Sequence, residues 1–173
     1  MSAYDEDLPS TINTFLRDGA YVSRVHIRPG KEEFHVPPHC HEKHDELFHV
    51  VQGRLEVLIG TEIRNCEPKD GEICIPKGVI DSLRVYKGEE TIFEEKMDPL
   101  DDGKEIFFRN ILEGGMMNKG FFEVMQIMFY GDMRPVLPLH IKWVDATLVN
   151  VVGYYLASWL GYKLRVSSLK KAL

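Results

Sequence analysis

The most constraining feature of the chain is a series of short apolar segments, separated by glycine and proline turns, between Tyr21 and Phe93. Residues 21–28 alternate with a period of two and stop at Pro29-Gly30, as a strand followed by a turn does. The later segments of this kind cover residues 46–52, 54–59, 61–65, 72–75, 82–86 and 91–93. Many short strands at close spacing predict an all-β sandwich or barrel.

The chain changes character near Asp98, where the period-two alternation gives way to helical spacing. Helices are predicted over residues 104–112, 121–129 and 142–162. We therefore expect a barrel of residues 1–98 and a helical extension, residues 99–173, that packs on the barrel as part of the same domain. Five methionines crowd the extension, either as adaptable core filling or as a pliable lid over an apolar pocket: Met116, Met117, Met125, Met128 and Met133.

Composition and charge exclude several classes of protein. The formal net charge is −6 and no stripe of lysine or arginine runs through the chain, so we expect no nucleic-acid partner. Three cysteines without a C-x-x-C pair favour a reducing compartment, and the acidic first residues do not resemble a secretory signal, so a cytoplasmic protein is predicted. Residues 146–162 are uncharged but too polar for a stable membrane span, although Trp143 and Trp159 leave surface association with a membrane open.

His39 and His41 stand two residues apart in a segment that we expect to be extended, so both side chains share one face. Cys40 faces away, and Glu46 opens the next strand and completes a set of two histidines and one carboxylate. Imidazole and carboxylate ligands suit divalent Fe, Mn, Ni, Cu or Zn, and this facial set leaves positions open for substrate or oxygen. Without a metal, the same residues would be a polar cluster inside a barrel.

Two motifs in this region resemble the two motifs of the cupin superfamily. The first, H-x-H-x4-E-x6-G, consists of His39, His41, Glu46 and Gly53. The second, G-x4/5-P-x-G-x2-H, consists of Gly71, Pro76, Gly78 and, in place of the final histidine, Asp81. The matched region covers residues 20–96. The tail after it, with Phe107-Phe108-Arg109-Asn110, is similar to that of small stand-alone cupins, several of which belong to specialised metabolism.

The resemblance implies a jelly-roll barrel with His39, His41 and Glu46 in its interior and a divalent metal ion bound there. Asp81 leaves three alternatives open: it is a fourth ligand that favours a harder ion, or it makes no bond to a metal and the site is weak or empty, or it caps the turn after Gly78. Beside Glu46 and without a cation, one of the two carboxyl groups should hold a proton near neutral pH, whereas a divalent ion would ionise both.

Three other reactive side chains are not assigned to the site. His44 lies in a charged turn and is expected to be exposed. His49 differs in parity from Glu46 and is expected to face away from the barrel interior. Cys74 is expected to be a small core residue, because no base is paired with it in the sequence.

Two functional hypotheses follow from the resemblance. The first is an enzyme that acts on a small, largely apolar organic molecule, with Glu46, Asp81 and His41 as catalytic residues. The absent third histidine favours Lewis-acid or acid/base chemistry, meaning isomerisation, cyclisation or elimination, over a metal-dependent dioxygenase or oxidase. The second hypothesis is a non-catalytic barrel that binds a small ligand. The resemblance, together with the exposed strand edges of small barrels, also implies a homodimer.

Overall fold

Ten strands form the body of the computed structural model, which describes residues 11–16, 21–30, 33–100, 102–112, 120–137 and 141–164. In chain order they are β1 Thr11–Phe15, β2 Ser23–Ile27, β3 Phe34–His41, β4 Asp45–Gln52, β5 Leu55–Ile59, β6 Glu62–Cys66, β7 Glu72–Ile75, β8 Asp81–Val85, β9 Thr91–Asp98 and β10 Met133–Pro135. They make two antiparallel sheets, with the strand orders β1-β2-β9-β4-β7 and β10-β3-β8-β5-β6.

The pairing of the central eight strands is nested. β5 pairs with β6, β4 with β7, β3 with β8 and β2 with β9, so the chain forms one long hairpin that is wrapped across both sheets. This arrangement is the jelly roll. The barrel expected from the sequence is therefore confirmed, and Gly53 and Gly78 lie at turns, where their φ angles are 79° and 78°.

The strands differ from the prediction at both ends of the barrel region. β9 continues to Asp98 instead of ending at Phe93, and β1 precedes the first predicted strand. β10 was not predicted at all, and it adds a strand from the extension to the barrel by pairing with β3. Because β10 is the edge of its sheet, it tolerates Pro135, which has no N–H group to donate to a further strand.

The helices match the predicted positions. α1 covers Asp102–Leu112, α2 covers Phe121–Tyr130 and α3 covers Lys142–Val149. The helical path continues beyond α3 through a π-helical segment, Asn150–Leu156, and a last turn, Ala157–Trp159. Within the described part of the chain, no helix is both long enough and apolar enough to cross a membrane.

Two apolar cores hold these layers together. The first fills the barrel and includes Phe48 and Phe93, which meet edge to face at 6.0 Å between ring centroids. The second lies between the barrel and the helices and contains Met125, Met128 and Met133, which supports core filling for these methionines. Met116 and Met117 lie outside the described residues, and the division of the chain at residue 98 stays a prediction.

Candidate metal centre

The strand register brings His39, His41, Glu46 and Asp81 to one end of the barrel. The pairing of β3 with β8 shifts by one residue between Val36 and His39, where two prolines cannot donate to the ladder. This bulge keeps His39 and His41 on the inner face. Asp81 is the β8 partner of His39, while Glu46 lies just after the short loop that joins β3 to β4. All four residues are at most 5% exposed.

The functional atoms of these residues converge. One donor atom from each of His39, His41 and Glu46 lies within 4.8 Å of the other two. Asp81 Oδ2 is 3.5 Å from His39 Nε2, and Glu46 Oε2 is 3.9 Å from His41 Nε2. The two imidazole rings meet edge to face, with 5.3 Å between centroids. The predicted site residues are thus brought together, while their metal-binding role stays a prediction.

Each imidazole has its second nitrogen occupied by a backbone carbonyl. His39 Nδ1 is 2.9 Å from Pro37 O and His41 Nδ1 is 2.8 Å from Asp132 O. A carbonyl oxygen only accepts, so both Nδ1 atoms carry the proton and both Nε2 atoms present a lone pair to the site. Burial lowers the pKa of His39 to about 4, and burial, assisted by the charge of Lys104, lowers the pKa of His41 well below its usual value. Both rings are therefore neutral near pH 7, as metal ligands must be.

The two carboxyl groups are held where ionisation is unfavourable. Burial raises the pKa of Asp81 to about 7. Burial, and then the neighbouring charge of Asp81, raises the pKa of Glu46 well above its usual value. Glu46 Oε2 and Asp81 Oδ2 are buried without a hydrogen-bond partner among the described residues. Because these oxygens face imidazole nitrogens with free lone pairs, the donor set fits a divalent cation.

Glu95 is a third acidic group inside the barrel, and the sequence analysis missed it. It pairs with Phe48 on one side and Ser23 on the other, so it continues the inward-facing series of β9. Ser23 Oγ donates to its carboxylate at 2.8 Å. Burial raises the pKa of Glu95 to about 7. Extending the alternation of β9 two residues beyond Phe93 would have placed Glu95 inside.

His44 is buried, so its expected exposure is wrong. The residue is 7% exposed in the structure, and its Nδ1 donates to Asp132 Oδ2 at 2.9 Å. Asp132 comes from the turn between α2 and β10, 88 residues along the chain. No local pattern around His44 indicates a partner so distant in sequence.

Of the other two expectations, the one for His49 is confirmed and the one for Cys74 is wrong. His49 is half-buried and stacks on Tyr21 at 6.1 Å, on the face of β4 opposite to Glu46, as predicted. Cys74 is exposed, which corrects the core assignment. On β7 it alternates with Ile73 and Ile75, which take the inward positions.

A cavity of about 210 Å³ lies on the other face of β3. Cys40 and its β10 partner Arg134 line it, together with Asp145 from α3. Since Cys40 alternates with His39 and His41 along β3, the cavity is separate from the convergent residues inside the barrel.

The relatives found among curated proteins are distant in sequence. No model of a protein family matches the chain. The chain is 24% identical over 144 residues to the probable oxidoreductase patJ of Penicillium expansum and to that of Aspergillus clavatus. The match covers 73% of the chain but only 43% and 44% of these relatives, so the chain spans less than half of their length.

Among solved structures, two similar proteins are KdgF from Halomonas sp. and the polyketide cyclase RemF from Streptomyces resistomycificus. KdgF is 22% identical, with a TM-score of 0.41 over 56% of this chain and 86% of KdgF. RemF is 20% identical, with a TM-score of 0.40 over 58% of this chain and 79% of RemF. The jelly roll itself follows from the strand order and register of the chain.

Proposed function

We propose that this jelly-roll chain is a cupin enzyme that performs acid/base chemistry on a small organic molecule beside a divalent metal ion in the barrel. One observation carries the proposal. The Nε2 atoms of two neutral histidines and two carboxyl oxygens without partners among the described residues converge in a buried site. Buried polar atoms in this condition are uncommon away from functional sites.

We assign the ion to His39, His41 and Glu46, whose donor atoms all lie within 4.8 Å of one another. When bound, a divalent ion supplies Lewis-acid polarisation of a substrate oxygen. Pro37 O and Asp132 O would orient the two imidazoles by holding their Nδ1–H groups. The ion is expected to be Fe, Mn, Ni, Cu or Zn, in keeping with the mixed nitrogen and oxygen donors.

We assign proton transfer to Asp81, with Glu95 as a second group that holds a proton. Burial raises the pKa of each to about 7 in the metal-free chain, and a bound ion would keep Asp81 ionised, as a group that takes a proton must be. The Asp81 carboxylate would take a proton from a carbon next to a carbonyl group. The same carboxyl would then return that proton to a second carbon, giving isomerisation, or to a departing oxygen, giving elimination. Phe48 and Phe93 make the wall next to Glu95 apolar, which suits a substrate with few charges.

An oxidoreductase is the second candidate function. The relatives in Penicillium expansum and Aspergillus clavatus are described as probable oxidoreductases. Two histidines and one carboxylate are also the ligand set of non-haem Fe(II) oxygenases. Isomerisation leaves the substrate mass unchanged and elimination removes a small molecule, whereas oxidation removes hydrogen or adds oxygen, so the mass of the product separates the two candidates.

The metal assignment is tested by elemental analysis of the purified chain after incubation with each ion and removal of excess. The parent should retain about one ion per chain, and His41→Ala should retain little. His49→Ala is the matched control, because it removes an imidazole from the outer face of β4, the strand that carries Glu46 on its inner face. Equal retention by the parent and His41→Ala would show that the ligand assignment is wrong.

The reaction is tested by metabolite profiling of a strain that lacks the protein. The strain should accumulate one small organic molecule, and the gene for the parent should remove it. Asp81→Asn should fail to remove it although the variant is folded and abundant. If Asp81→Asn restores the profile as well as the parent does, Asp81 does not transfer the proton.

The homodimer and the cytoplasmic location also remain proposals. β6 and β7 are the last strands of their sheets, so each has an edge on which another chain could pair. Light scattering at high protein concentration should give the mass of two chains, and the mass of one chain would contradict the dimer.

A further inference from the structure

The turn between α2 and β10, Gly131-Asp132, reaches from the helical extension to the candidate metal centre. Met133, the first residue of β10, pairs with His41, so the turn lies directly beside this predicted ligand. Gly131 has no room for a side chain, because an added Cβ would lie 1.8 Å from the ring of Phe107 on α1. The turn therefore lies between β3 on one side and α1 on the other, and both contacts hold it in place.

Asp132 holds the loop after His41 with both its backbone and its side chain. Its carbonyl oxygen accepts the Nδ1–H of His41 at 2.8 Å. Its carboxylate Oδ2 accepts the backbone N–H of Lys43 at 2.7 Å and the Nδ1–H of His44 at 2.9 Å. Asp132 has a φ of 54°, a conformation that aspartate tolerates better than most residues and that packed surroundings must maintain.

Lys104 holds the other carbonyl of the turn. Its side chain is buried on α1, and its Nζ donates to Gly131 O. The same Nζ is 5.2 Å from the centre of the Phe107 ring and 3.4 Å from His41 Nδ1. Because His41 Nδ1 already carries a proton directed at Asp132 O, Lys104 acts on the ring through the turn and through its charge.

From these contacts we infer that the Gly131-Asp132 turn, held by Lys104, positions His41 for metal binding. The turn keeps the proton on Nδ1 and fixes the ring so that Nε2 faces Glu46. Asp132 is thus a positioning residue, and the extension is part of the metal centre. This inference rests on the proposed function only for the metal; the tautomer of His41 is a property of the chain alone.

Asp132→Gly removes both carboxylate bonds but keeps a backbone that accepts a positive φ. The carbonyl oxygen that accepts from His41 Nδ1 remains in this variant, so the loss comes from the release of the turn. Removal of an outer partner costs about 10- to 100-fold in metal affinity in comparable sites, and we expect a loss near the lower end of this range. Asp132→Asn keeps an acceptor oxygen and tolerates the same φ, so it should remain close to the parent. Asp70→Gly is the matched control: Asp70 Oδ2 accepts the N–H of Glu67 at 2.7 Å in an exposed turn remote from the barrel interior.

The experiment uses the full chain and two measurements. The first is the dissociation constant for Zn²⁺, measured by competition with a coloured chelator. The second is the ¹⁵N shift of the His41 ring nitrogens in metal-free protein, which reports the tautomer. We expect Asp132→Gly to bind Zn²⁺ more weakly and to lose the pure Nδ1–H tautomer, and Asp132→Asn and Asp70→Gly to retain both properties.

Unchanged Zn²⁺ affinity and an unchanged His41 tautomer in Asp132→Gly would overturn the inference. If the parent itself binds no Zn²⁺ or other divalent ion, the proposed metal centre fails, and the tautomer alone decides whether the turn positions His41. If Asp132→Gly does not fold, Lys104→Met provides the second variant, with the same losses expected because Gly131 O is released. Normal affinity and tautomer in a folded Lys104→Met would then overturn the inference.

Discussion

Asp81→Asn should make the metal-free protein more stable at neutral pH. A pKa of about 7 in the folded protein, against 3.8 for an ordinary aspartate, corresponds to a penalty of about 4 kcal/mol once the group is fully ionised. Because the folded protein retains a proton that the unfolded chain releases above pH 3.8, stability falls as pH rises through this window. Asparagine has no proton to lose, so the stability of the variant does not decrease with pH for this reason.

The net gain is smaller than the full penalty. An amide in this position can donate to His39 Nε2, which is 3.5 Å from the present Oδ2, so the new group need not be left without a partner. Glu46 still resists ionisation, because burial is the largest cause of its raised pKa. We expect a gain of about 1–3 kcal/mol at pH 8. At pH 5 the substitution should be about 2–3 kcal/mol less favourable, because most of the penalty arises between pH 5 and pH 7, where the unfolded chain is ionised and the folded protein still holds the proton.

Thermal unfolding of metal-free protein across this pH range is the assay. A gain of this size raises Tm by about 2–12 °C in a protein of this length. Chelator treatment is essential, because a bound cation would favour the ionised carboxylate. Asp45→Asn is the control: Asp45 Oδ1 accepts the N–H of Lys77 at 2.8 Å in a nearby turn, so the same change is made at a carboxylate outside the buried site.

A loss of stability in Asp81→Asn at pH 8 would refute this reasoning. Such a loss would mean that the Asp81 carboxylate is held by favourable contacts in the folded protein, as a cap of the turn after Gly78 would be. A constant difference between variant and parent at all pH values would equally contradict a carboxyl group with a raised pKa.

Three further predictions concern the barrel. The parent should lose up to about 3 kcal/mol of stability between pH 4.5 and 7, because its folded form retains the Glu95 proton in that window and the unfolded chain does not. Glu95→Gln should remove this loss, as measured by denaturant unfolding. Stability of the parent that does not change with pH would contradict the prediction. Gly53→Ala should reduce stability by about 2 kcal/mol or more, since the φ of Gly53 is 79° and an added Cβ would lie 2.1 Å from Glu90 O. Gly78→Ala should reduce stability less in the same unfolding assay, because Gly78 has a similar φ of 78° but open space around it. Equal losses in the two variants would contradict the contact at Gly53. Phe48→Ala, at a fully buried position, should cost about 3–5 kcal/mol by the same measurement, and a loss below about 1 kcal/mol would mean that Phe48 is not in the core.

The barrel and the convergence of its four predicted residues could be foreseen because the sequence carries them locally. Strands, turns and the H-x-H spacing each depend on residues within a few positions of one another. The second motif also predicted that Asp81 lies beside the histidines, and the strand register places it opposite His39. Glu95 was not predicted inside the barrel, because a run of three charged residues, Glu94-Glu95-Lys96, hides the alternation of β9 beyond Phe93.

The contacts of the extension could not be predicted, because nothing local indicates them. β10 is three residues long and contains a proline, so it has no strand pattern of its own. Asp132 and Lys104 are single charged residues that would be read as solvated, and their partners are 88 and 27 residues away along the chain. Only the folded chain shows that the loop after His41 is completed by the extension.

Three interior carboxyl groups support the proposed site over a polar cluster without function. Glu46, Asp81 and Glu95 each have a raised pKa, so each lowers the stability of the metal-free fold at neutral pH. Apolar residues of similar size would remove that cost, and buried groups that lower stability are characteristic of functional sites. A divalent ion would bind the ionised oxygens, so these carboxyl groups would then stabilise the folded state instead of lowering its stability. Bound metal should therefore stabilise the parent more at pH 8 than at pH 6, because fewer protons must leave; stabilisation that does not change over this range would mean that these carboxyl groups do not respond to the ion.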